Sequence, residues 1–154
     1  MVADLITLLR DRGLTVTTAE SCTGGMVAAA LTDVPGSSDV FQRGFVTYSN
    51  EAKSEMLGVT AKSLEAHGAV SEPVVREMAA GARIAARADI AVSISGIAGP
   101  GGSEFKPEGR VCFGLATAQG VTTQTIDYGA LGRDRVRAAA RDEALALLSD
   151  AAQP

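Results

Sequence analysis

Three short stretches of this chain hold the residue types that acyl-transfer chemistry requires. In TAESCTGG (18–25), Ser21, Cys22 and Thr23 stand directly before Gly24 and Gly25. In GFVTYSNEAK (44–53), Tyr48, Asn50 and Lys53 cluster, and in SGIAGPGG (95–102), Ser95, Gly96 and Gly99 belong to a run of small residues. A serine hydroxyl is a weak nucleophile until a base accepts its proton. The single histidine, His67, sits in LEAHGAV at a helix end, where an imidazolium complements the dipole in a structural role. That leaves a lysine whose pKa is lowered by burial, and Lys53 is the candidate.

The elements predicted from the pattern put these stretches where α/β proteins bind ligands. Helical periodicity over Leu5, Ile6, Leu8 and Leu9 ends at Gly13, a C-cap, and a strand follows at 14–18. A helix is predicted over 23–34, stopped by Pro35-Gly36, then a strand within 41–49 and short helices over 50–57 and 60–67 with Gly68 as C-cap. Ser71 with Pro73 opens a helix running to about 88, and DIAVSISG (89–96) reads as a strand buried on both faces. A loop at 97–109, a hairpin around Gln119-Gly120 and a last helix over 134–150 complete the chain. Helices flanking a buried sheet imply an α/β fold, a three-layer α/β/α sandwich around a mixed sheet, with residues 1–154 as a single domain.

A strand's C-terminal edge opening into a helix is a natural anion site, because the first helix amides lack intrahelical partners and carry the dipole's positive end. Such amides hold a phosphate, or an oxyanion if a nucleophile sits beside them. The glycines of 95–102 can form a second anion nest. Each stretch also has a plain structural reading: Ser21 or Thr23 as a helix cap, Lys53 as a solvated helical lysine, 95–102 as a connection. The serine-hydrolase elbow is absent, since Ala19 and Thr23 occupy its glycine positions, and neither a P-loop nor a dinucleotide fingerprint is present.

Composition narrows the class. The 154 residues carry a formal net charge of −4 with 4% aromatics, which favours neither a nucleic-acid backbone nor base stacking. No apolar run is long enough to span a bilayer and the N-terminus lacks a basic start, so the cytoplasm is the expected compartment. Cys22 and Cys112 are too few for a disulfide framework, and with one histidine they suggest no metal site. A homodimer is the expected assembly, from the apolar content of a small domain.

Taken together, TAESCTGG, GFVTYSNEAK, GAVSEPVV and SISGIAGPGGSEFKPEGRV resemble the CinA C-terminal domain family, which includes nicotinamide-nucleotide amidases, over about residues 15–148. The resemblance implies an amidohydrolase that converts nicotinamide mononucleotide to nicotinate mononucleotide and ammonia in pyridine-nucleotide salvage, with no metal and no cofactor. It implies Ser21 as nucleophile, Lys53 as base, Tyr48 as an assistant, and the amides around Thr23, Gly24 and Gly25 as the oxyanion cradle. Cys22, Asn50, Ser95, Gly96, Gly99, Arg133 and Arg137 are the accompanying substrate-binding candidates, the two arginines for the phosphate. In relatives a Gly-Asp-Arg run opens the last helix; here LGRDR puts Gly132 where the aspartate is expected and keeps Arg133. The competing expectation is a non-catalytic nucleotide-binding or competence- and DNA-damage-associated module, which would be stabilised by nucleotide without turning it over.

Overall fold

The computed structural model describes residues 1–154. The elements run α1 (Val2–Arg12), β1 (Val16–Glu20), α2 (Met26–Thr32), β2 (Phe45–Val46), α3 (Asn50–Leu57), α4 (Ala61–His67), α5 (Glu72–Ala86), β3 (Ile90–Gly96), β4 (Arg110–Thr117), β5 (Gly120–Asp127) and α6 (Arg133–Ala152). The five strands form one sheet in the order β2-β1-β3-β4-β5. β2, β1 and β3 are parallel, whereas β4 and β5 run antiparallel as a hairpin. The fold is thus the expected α/β/α sandwich on a mixed sheet.

Each face of the sheet has its own core. Leu5, Ile6 and Leu9 of α1, Val27 and Leu31 of α2, and Val136, Ala140 and Leu148 of α6 pack with Val92 and Ile94 on one side. Val74, Val75, Met78 and Ala82 recur at helical spacing in α5 and pack with Ala91 and Ala116 on the other, joined by Leu57 of α3. The central strands β1 and β3 are buried nearly throughout, as a sheet covered on both faces requires. No helix is long and apolar enough to cross a membrane.

Three boundaries depart from expectation, all at the edge that matters for chemistry. β1 reaches Glu20 rather than ending at residue 18, so Ser21 is the first residue beyond the strand. α2 begins at Met26 rather than 23, because Gly25 lies at φ 105°, a backbone conformation no helix adopts. The strand expected within 41–49 shrinks to Phe45–Val46, paired only at Ala19–Phe45 and Glu20–Val46 on the sheet's outer edge. Because β1, β2 and β3 are parallel, their C-terminal ends deliver Ser21, Thr47–Tyr48 and Ser95–Gly96 to one side of the sheet.

Candidate active site

Glu20, not the substrate, occupies the N-terminus of α2. Its fully buried carboxylate accepts the Thr23 hydroxyl at 2.7 Å and the amides of Gly25 (3.3 Å), Val27 (2.9 Å) and Ala28 (3.0 Å). The helix-start amides therefore already hold a negative charge, which is where the dipole favours one. On either side of this lock the Ser21 amide donates to the Ile94 carbonyl (2.9 Å) and the Gly24 amide to the Ser21 carbonyl (3.0 Å). Ser21 is thereby fixed at the strand end in a short turn. Replacing Glu20 with Gln turns an amide N–H₂ group toward those donors. The expected cost is about 2 kcal/mol, lowering the midpoint of thermal unfolding by several degrees as followed by circular dichroism.

Lys53 lies in the first turns of α3, whose start is capped by the Ser49 hydroxyl accepting the Ala52 amide at 3.0 Å. Its side chain turns inward and is 1% exposed. Nζ stands 3.0 Å from Ser21 Oγ and donates to the Thr47 carbonyl at 2.8 Å, and no carboxylate lies within ion-pair distance. Burial pulls the Lys53 pKa below its ordinary value, against a smaller opposing pull from Cys22 and Glu104. A protonated Nζ has three N–H groups and only two acceptors here. Ser21 Oγ and the Thr47 carbonyl each accept one Nζ–H, which leaves a third N–H of the ammonium form without a protein acceptor. Cys22, beside Ser21, is pushed the other way: burial raises its thiol to about 11, so it carries negligible thiolate near neutrality.

The pair opens into a cavity of about 360 Å³ between the ends of β1, β2 and β3 and the loop after β3. Ser21, Cys22, Tyr48, Asn50, Lys53, Ser95, Gly96, Gly99 and Arg133 all line it, as their positions in the sequence motifs suggested. Arg133 spans the mouth, donating to the Gly99 carbonyl (2.8 Å) and to the Tyr48 hydroxyl (2.6 Å), and forms no ion pair with a carboxylate. It joins the two loops while keeping its charge unspent.

Four expected binding residues lie elsewhere. Thr23, Gly24 and Gly25 do not line the cavity: Thr23 is fully buried, the Gly24 amide is spent on Ser21, and the Gly25 amide on Glu20. Arg137 also stands outside it, donating to the carbonyls of Cys22 (3.0 Å) and Thr23 (3.4 Å), so it braces the Ser21 turn from behind. Along the turn and loop, the amides of Cys22, Ala98 and Gly99 make no backbone or side-chain hydrogen bond to another residue, and all three residues line the cavity.

Residues that sequence reasoning passed over complete the site. Glu20 was legible as an acid between a strand and a helix start, the position for an internal cap. Thr47 contributes a backbone carbonyl, which no residue type advertises. Lys106 donates to the carbonyls of His67 and Val70, both at 2.6 Å, and so ties the loop after β3 to the α4–α5 connection. Glu104, in the same loop, lines the cavity.

Comparison with known proteins places these features among relatives. The profile described as the CinA C-terminal domain matches residues 1–152. A nicotinamide-nucleotide amidohydrolase PncC from Escherichia coli strain K12 is 62% identical over 141 residues, covering 91% of this chain and 86% of that protein. A CinA-like protein from Chloroherpeton thalassium is 60% identical over 112 residues, 72% of this chain but 27% of that longer protein. The crystal structure of the competence/damage inducible protein CihA from Agrobacterium tumefaciens superposes with a TM-score of 0.93 at 46% identity, covering 99% of this chain and 96% of that one.

Proposed function

The chain belongs to the CinA C-terminal domain family, and on that premise we propose that it is an amidohydrolase cleaving the carboxamide of nicotinamide mononucleotide to give nicotinate mononucleotide and ammonia. The relative named as a nicotinamide-nucleotide amidohydrolase supports the substrate. The observation that carries the chemistry is a buried lysine amine, without a carboxylate partner, 3.0 Å from a serine hydroxyl at the wall of a cavity.

Neutral Lys53 accepts the proton of Ser21 as Oγ attacks the carboxamide carbon. The C=O bond opens to an oxyanion, for which the unbonded amides of Cys22 and of Ala98 or Gly99 are the donors, one such donor being worth about 3 kcal/mol. As the intermediate collapses, Lys53 returns its proton to the departing nitrogen, and ammonia leaves an ester on Ser21. Water then attacks the ester while Lys53 takes a proton from it; collapse returns that proton to Ser21 and frees the carboxylic acid, which ionises in solvent. Arg133, with no carboxylate partner, is the group suited to the nucleotide phosphate.

Purified protein incubated with nicotinamide mononucleotide should release ammonia and nicotinate mononucleotide in equal amounts; no ammonia from this nucleotide would sink the proposal. A pH profile tests the base. Because only the neutral amine accepts the Ser21 proton, kcat/KM should climb with pH along one limb, lost as pH falls. Burial sets that limb below the range of an ordinary lysine. A profile flat from neutral to alkaline pH removes Lys53 from the role.

A further inference from the structure

We propose that Glu104 is a specificity residue that reads the positive charge of the pyridinium ring; this rests on the substrate reading above. Among the residues lining the cavity Glu104 is the only carboxylate. A ring whose carboxamide carbon lies against Ser21 Oγ must extend within these walls.

Glu104 stands where this cavity adjoins a second one lined by His67 and Gly68. Ser103 and Lys106 close a two-residue turn through reciprocal backbone hydrogen bonds of 3.1 and 2.8 Å. Both central residues take the left-handed conformation, Glu104 at φ 53° and Phe105 at φ 63°, which side-chain-bearing residues adopt only at a cost. Packing of Phe105 does not offset it, since that ring is fully exposed. The turn sets the Glu104 side chain alongside Gly68 and at the cavity edge. Space for the side chain is left by Gly68, where a Cβ would run into the Glu104 carboxylate.

The charge is also largely unspent. Its one ionic partner, Lys106, is drawn away to the carbonyls of His67 and Val70 and stands 3.9 Å off. The contrast with Glu20 and Glu108 is plain: the first is filled by amides, and the second accepts the Gly101 amide behind the loop. The other charged or titratable groups around the cavity are Lys53, Arg133, Tyr48 and Cys22. Arg133 and Lys53 suit the phosphate and the reaction, so Glu104 is the group that complements a ring cation. A dihydropyridine nucleotide, identical but for that charge, gains nothing from it.

The test compares binding of oxidised and reduced nicotinamide mononucleotide by calorimetry, using Ser21→Ala so that nothing turns over. Adding Glu104→Gln should weaken the oxidised nucleotide roughly tenfold and change the reduced one less than twofold. Equal changes for both, or none for either, overturn the proposal. If Ser21→Ala binds neither nucleotide, the substrate reading itself fails and this inference with it. With Ser21 intact, Glu104→Gln should also move the acidic limb of kcat/KM to lower pH, because the carboxylate favours the ammonium form of Lys53. A limb that stays in place counts against it, whereas a merely structural role for Glu104 would not move the limb.

Discussion

Ser21→Ala should reduce ammonia release from nicotinamide mononucleotide by about 10⁴-fold or more, since removing the nucleophile of a covalent mechanism leaves only binding and oxyanion stabilisation. The fold should tolerate it. Ser21 lies beyond the last residue of β1, and its backbone is held by Ile94 and Gly24 rather than by its hydroxyl. The midpoint of unfolding should therefore stay within about 2 °C of the parent. Cys22→Ala is the matching control. Its thiol, raised to about 11, should be dispensable to within several-fold, as packing residues are. If Cys22→Ala abolished turnover while Ser21→Ala preserved it, the two roles would be exchanged.

Lys53→Met should do two opposite things. Without a base the rate falls, by about a thousandfold within the usual range for general base catalysis. Yet the protein should become more stable near neutral pH, by roughly 1–2 kcal/mol, because a buried amine whose charged form has no ionic partner is exchanged for an apolar side chain of similar length. The sign follows from linkage. Folding lowers the Lys53 pKa, so between the folded and unfolded values the unfolded chain binds more protons and parental stability rises with pH. The advantage of the methionine variant should be full below the folded pKa and shrink as pH climbs toward 10.5, the ordinary value. Thermal unfolding of both proteins across pH measures this. A variant less stable than its parent at neutral pH would show that the amine's two hydrogen bonds outweigh its desolvation.

Much of this arrangement could be read in the residues. Periodicity, caps and stop residues located the six α-helices, an apolar run located the buried strand β3, and hydroxyl, amine and glycine types marked the three strand ends that form the cavity. What was misplaced has a common cause. The cradle assigned to Thr23, Gly24 and Gly25 assumed that helix-start amides await a ligand, but Glu20 folds back onto the Gly25 amide, the Gly24 amide turns to the Ser21 carbonyl, and Thr23 is buried outside the cavity. Arg137 was taken for a phosphate ligand because charge is visible in a sequence while a partner carbonyl is not. Thr47 meets Lys53 through its backbone carbonyl, and Glu104 stands in a left-handed turn, and neither leaves a signature in residue type. Sequence exposes side-chain chemistry; which groups are already satisfied is a property of the fold.

The distance along the chain between parts of the site has a consequence for how the protein can change. Ser21 and Lys53 are 32 residues apart and are joined by neighbouring parallel strands, whereas Arg133 reaches Tyr48 from 85 residues away. On the proposed reading, reactivity resides in the first third of the chain, and recognition in the loop after β3 and the start of α6. Drift in those later segments can trade one amide-bearing ligand for another while the reacting pair stays intact. A scaffold divided in this way is free to diversify in what it accepts without relearning what it does.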